Sequence, residues 1–229
     1  MAKWVINPES EFISIVLIRQ FNPAIFQPAW FASHGILGEK ETEAAEVEII
    51  HSAVSKFKLD WLRIQVERER FICEVLSSPL DRAYDITVKT FKENLIHTPI
   101  FQMGINLSIT YQVAEREHLD RIGDALAPKN PWGAWGKVLL DDSGKRSGGL
   151  KSMTMEQSER DDGHKGFIRV KIEPSRDFKS GIDAQVNDHF EAADIKNVNG
   201  ADEILSILES SYSTSQSRAK DIINDIMRL

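Results

Sequence analysis

The chain is predicted to fold as an α+β protein, a mostly antiparallel sheet with a long C-terminal helix. Three patterns in the sequence predict it. Several short segments alternate apolar and polar residues, as strands with one buried face do. Charged or glycine-bearing turns separate successive segments at hairpin spacing. From Ala201 to Met227, apolar residues recur at three- and four-residue intervals, the spacing of one helix face.

In chain order, Glu11 to Phe21 reads as a strand. Ile13, Ile15 and Leu17 lie on one side, with Phe12, Val16 and Ile18 on the other, which predicts cover on both faces. Pro28 can open a short helix through Trp30 to Ile36, stopped by Gly35 and Gly38. Strands are expected at Ala45 to His51, Lys56 to Val66 and Arg70 to Leu76, the last two joined at the charged tip Glu67-Arg68-Glu69. Tyr84, Val88, Phe91 and Leu95 mark a helix from Asp81 to Ile96, with Asp81 able to cap it.

The order then begins again. Gly104 to Val113 alternates as a strand, and Glu115 to Leu126 is an amphipathic helix with Leu119, Ile122 and Leu126 inward. Strands are expected at Ala134 to Leu140, Gly149 to Gln157, Gly166 to Glu173 and Ile182 to Phe190. The final helix follows, with a kink or break expected where serines crowd Ser210 to Ser217. The halves, 1–100 and 101–229, therefore share an order of strand, helical segment, three or four strands and helix. That order suggests a tandem duplication of a helix-grip-like unit, packed as one globular body.

Composition narrows the function classes. The 229 residues carry a formal net charge of -7, with a pI near 5.4. Such a surface disfavours generic nucleic-acid binding. One cysteine, Cys73, precludes an intrachain disulfide. With an N-terminus lacking an apolar signal-like run, it predicts a cytoplasmic location. No apolar run approaches the roughly 20 residues that span a bilayer.

Candidate sites are few. The tract from Leu126 to Gly136 sets two tryptophans three residues apart among prolines and glycines, and Pro131, Trp132, Trp135 and Lys137 form a candidate partner-binding surface. Rigid aromatic anchors are the residue type that carries binding energy in protein interfaces. The competing reading is a tight connection whose tryptophans cap the core. Lys137, Lys145, Arg146 and Lys151 cluster around one loop, which reads either as a basic patch or as a solvated loop. Asp188 and His189 are adjacent, yet neighbours on a strand point to opposite faces. The six histidines lack metal-binding spacing. Ser143-Gly144-Lys145 lacks the strand-to-helix context of a phosphate loop. Cys73, in the middle of a strand, reads as a small buried hydrophobe. No catalytic residue, cofactor-binding residue or metal ligand is assigned, and no cofactor is expected.

The run Leu62-Arg63-Ile64-Gln65-Val66-Glu67-Arg68-Glu69-Arg70-Phe71-Ile72, the helix over Tyr84 to Leu95 and the strand ending at Tyr111 resemble a sporadically distributed bacterial protein family with no established activity. The resemblance covers about half the chain. It departs after Phe71, where the family's Asn-Trp-Arg tract gives way to Cys73-Glu74-Val75. It implies an accessory component of a bacterial multi-gene, defence-like system, and transfers no functional residue. The sequence thus points to a non-catalytic binding or assembly protein with a protein partner or a homo-oligomeric state. The alternatives are a small-molecule binder with a cavity between curved sheet and C-terminal helix, and a hydrolase or nuclease using scattered acids such as Asp183, Asp188 and Glu191.

Overall fold

A computed structural model describes residues 7–113, 115–139 and 148–229. The expected α+β architecture is present: nine antiparallel strands form one sheet, and a 26-residue helix ends the chain. The strands are β1 (Pro8–Ile18), β2 (Glu46–His51), β3 (Val54–Lys58), β4 (Leu62–Glu67), β5 (Arg70–Val75), β6 (Gln102–Gln112), β7 (Met153–Gln157), β8 (Lys165–Pro174) and β9 (Gly181–Glu191). The helices are α1 (Pro28–Ser33), α2 (Glu39–Glu43), α3 (Arg82–Val88), α4 (Arg116–Leu126), α5 (Gly133–Leu139) and α6 (Asp202–Met227).

The sheet order is β2-β3-β4-β5-β1-β6-β9-β8-β7. Its central seam pairs β1 with β6, with Ile13 opposite Leu107 and Ile15 opposite Ile105. On the far sides of that seam β1 pairs with β5 and β6 with β9.

Period-two patterning decides which face is buried. Ile13, Ile15, Leu17, Ile64, Phe71, Cys73 and Met103 are all 0% exposed on one face. Helices α3 and α6 pack on that side, joined where Tyr84 meets Tyr212 at 5.4 Å and the Tyr212 hydroxyl donates to the Leu80 carbonyl at 2.8 Å. Phe21, Phe26, Phe71 and Phe91 cluster beneath, with the Phe71 and Phe91 rings edge-to-face at 5.0 Å. Beyond Val88 the helical path continues through a π-helical turn, Lys89–Asn94, in which the Leu95 N–H reaches the Thr90 carbonyl.

The other face is open. Phe12, Ser14, Val16 and Ile18 are only half-buried, so the expected cover on both sides of β1 is absent. One row of ladder partners crosses all nine strands there: Glu46, Lys58, Arg63, Glu74, Ser14, Asn106, Asn187, Arg169 and Glu156. Every member is polar, and Glu46–Lys58, Arg63–Glu74 and Arg169–Glu156 are ion pairs.

Three further expectations need correction. Lys56 to Val66 is two strands, because the chain reverses at Leu59-Asp60-Trp61 and the Leu59 N–H bonds the Leu62 carbonyl at 2.8 Å. Residues 134–139, expected as a strand, are helix α5; Leu140 lies outside the described residues. Finally, α6 runs unbroken through its serines. Ser211 and Ser215 are 8% and 3% exposed on its packed face, where small side chains admit close approach.

Candidate partner-binding site

Helix α4 ends where the Ala127 N–H bonds the Gly123 carbonyl, just before Pro128. Lys129 then turns inward and is 7% exposed. Its ammonium donates to the Ala127 carbonyl at 3.1 Å and pairs with Asp124 at 3.2 Å. Asn130–Trp132 form a 3-10 turn, and Gly133 takes φ +58, a left-handed value that suits glycine. Helix α5 then doubles back on the turn. At Gly136 a Cβ would stand 2.2 Å from the Lys129 carbonyl oxygen, so only glycine permits this approach.

This frame holds two indoles in solvent. Trp132 and Trp135 are 58% and 59% exposed, with their rings edge-to-face at 5.4 Å. Pro131 and Lys137 are exposed beside them, and Val138 extends the apolar face at 63% exposure. The reading in which these tryptophans cap the core does not describe this geometry. The sequence-derived candidates Pro131, Trp132, Trp135 and Lys137 thus fall on one short turn-and-helix unit.

The other candidates separate. Asp188 faces the helices and is 1% exposed, whereas His189 lies on the open face, stacked on Phe167 at 4.5 Å. Burial lowers the His189 pKa, and the Arg169 and Arg160 charges act the same way, against Glu191. Asp183 accepts from the Thr110 hydroxyl at 2.9 Å, and Glu191 accepts from Gln102 at 3.0 Å. Eight residues along one strand put those two carboxylates roughly 26 Å apart, so the three acids of the hydrolase reading do not converge. Cys73 is fully buried, and desolvation pushes its thiol up to about 12. Among the described residues, no group of three or more His, Cys, Asp or Glu is placed to hold a metal ion. Lys145, Arg146 and the Ser143-Gly144-Lys145 tract lie outside the described residues.

One constellation escaped the sequence reading. Asp188 receives Arg160 on one oxygen and Arg218 of α6 on the other, the latter at 2.8 Å. The Arg160 side chain is 0% exposed, lies 4.0 Å over the Phe190 ring, and also binds Asp162 at 2.5 Å. That hydrogen bond leads the effects that hold the Asp162 carboxyl well below the usual carboxylate range. The cluster joins the β7–β8 loop, β9 and α6. With every charge matched, it has the character of a structural clamp.

One depression in the surface is lined by Arg160 itself, with His164, Phe167 and Glu191, and two more lie away from the cluster. One opens beneath α4, floored by Leu119, Ile122, Ile172 and Ile182 and rimmed by Arg116 and Lys151. Another lies on the open sheet face over Asn106, Thr154, Arg169, Lys171, Gln185 and Asn187. Neither a scan of protein-family models nor a search of curated proteins finds a match for this chain. Among the described residues, no helix is long and apolar enough to cross a membrane.

Proposed function

We propose that this chain is a non-catalytic binding or assembly protein that engages a protein partner through Trp132 and Trp135. The observation that carries the reading is the exposure of both indoles on a backbone that Gly133 and Gly136 hold in place. Because the two anchors are already ordered, little conformational freedom is lost on contact. Tryptophan is among the residues enriched at energetic centres of interfaces, and Lys137 supplies a polar rim. The patchy distribution of the bacterial family this chain resembles, like that of mobile-element or phage-defence genes, supports looking for the partner among products of adjacent genes. The small-molecule alternative would place a cavity beneath α6, whereas the apolar-floored depression described above lies beneath α4.

The test is affinity purification of the tagged chain from its own cell, followed by reconstitution with the purified stoichiometric partner. Trp132→Ala and Trp135→Ala together are expected to weaken the reconstituted complex by at least about 30-fold, the effect of losing one hot-spot residue worth about 2 kcal/mol. Unchanged affinity in the double variant would refute the assignment.

A further inference from the structure

The edge strand β2 leaves one row of backbone groups unpaired at the end of the sheet. All six of its residues are exposed, including Val47 at 46%, Ile49 at 43% and Ile50 at 40%. Natural edge strands are usually blunted by charge, proline, a bulge or cover, and of these β2 carries paired charges and a bulge. Here Glu46 and Glu48 are matched within the subunit by Lys58 and Lys56, at 2.9 and 2.6 Å, so their charge does little to repel an approaching strand. The opposite edge, β7, exposes one large apolar side chain, Met155.

The bulge in β2 identifies the strand that fits. Register with β3 shifts between Val47 and Ile49, leaving Glu48 as the extra residue. Val47 and Ile50 stand opposite Phe57 and the buried Ser55, hence on the helix-covered side. Glu46, Ile49 and His51 stand opposite Lys58, Lys56 and Val54, on the open side, where Glu48 also reaches Lys56. Read from Glu46 to His51, the faces run open, covered, open, open, covered, open. This order is the same in both directions. A regular six-residue strand alternates and cannot pair antiparallel with itself about its midpoint without setting opposite faces together.

We propose that β2 pairs antiparallel with β2 of a second copy of this chain, about a two-fold axis between Glu48 and Ile49, making one sheet continuous across both copies. Val47 then meets the partner's Ile50 on the covered side, closing two apolar contacts. Glu46 meets the partner's His51, an acid against a base. Glu48 and the partner's Ile49 flank the axis on the open side. The arrangement is isologous, as a closed dimer requires. It is independent of the tryptophan surface.

Sedimentation equilibrium and light scattering of the full chain test the proposal. The wild type is expected at twice 25.9 kDa, and Ile50→Lys at 25.9 kDa with an unchanged circular-dichroism spectrum. Val47→Lys provides a second variant with the same expectation should Ile50→Lys misfold. The double variant Trp132→Ala, Trp135→Ala is expected to remain dimeric. A wild type that stays monomeric at high micromolar concentration overturns the proposal. So does a dimer that survives the folded β2 variants, or one that is lost with the tryptophans.

Discussion

Asp188 sits 1% exposed between two guanidinium groups, and Arg160 is as deeply buried beside it. Removing Asp188 leaves both guanidinium groups to share Asp162, so one positive charge of the cluster is unmatched, a change that costs about 3–5 kcal/mol. Asp188→Ala is therefore expected to lower the free energy of unfolding by that amount, read from a denaturant titration. Asp162 adds a pH dependence. Its folded pKa is lowered, first by the Arg160 hydrogen bond, so its contribution is complete above its unfolded pKa, about 3.9. It is lost as pH falls from there toward the lower folded value. Asp162→Asn should flatten the acid limb of a stability-versus-pH curve below about pH 5. Cys73, with its thiol raised to about 12, is expected to resist iodoacetamide in the native chain and to react on unfolding. The burial of Cys73 and the opposed faces of Asp188 and His189 were legible because strand alternation is a local rule. The clamp was not: Arg160 and Arg218 stand 28 and 30 residues from Asp188 in sequence, and no local pattern marks the pairing.

Among the elements, two strand expectations failed. A continuous strand from Lys56 to Val66 would set Phe57 on the face opposite Leu62, Ile64 and Val66. The turn at Leu59-Asp60-Trp61 brings Phe57 opposite Ile64, and all four become 0% exposed on one face. Ala134 to Leu140 is expected as a strand. Residues 134–139 are helical instead, and Gly133 and Gly136 serve a left-handed turn and a close approach between helix and carbonyl. Gly136→Ala is expected to displace α5 from the Lys129 carbonyl, changing indole fluorescence while leaving the transition of the sheet nearly unchanged. The serines of α6 were read from intrinsic propensity, which tertiary packing overrides. Ser215→Leu, at a position 3% exposed, should overpack the interface between α6 and the sheet and destabilise by about 1–3 kcal/mol, measured by thermal or denaturant unfolding.

Across the whole molecule, the antiparallel α+β class, the long terminal helix and most strand positions were visible in patterning alone. The sheet order was not, because pairing β1 with β6 joins segments about ninety residues apart and depends on which faces need cover. The open face, crossed by a polar row on all nine strands, likewise emerges only once the register is known. The tryptophan unit could be located from composition, but its exposure could not, since Trp132 and Trp135 would read the same in a core. Fluorescence quenching by acrylamide tests that exposure and its use together, comparing the wild type with Trp132→Phe, Trp135→Phe. The emission lost in the variant is expected to be readily quenched in the free chain and shielded when the purified partner is added to saturation. Emission that is already shielded in the free chain, or equally quenchable in the complex, would contradict the assignment.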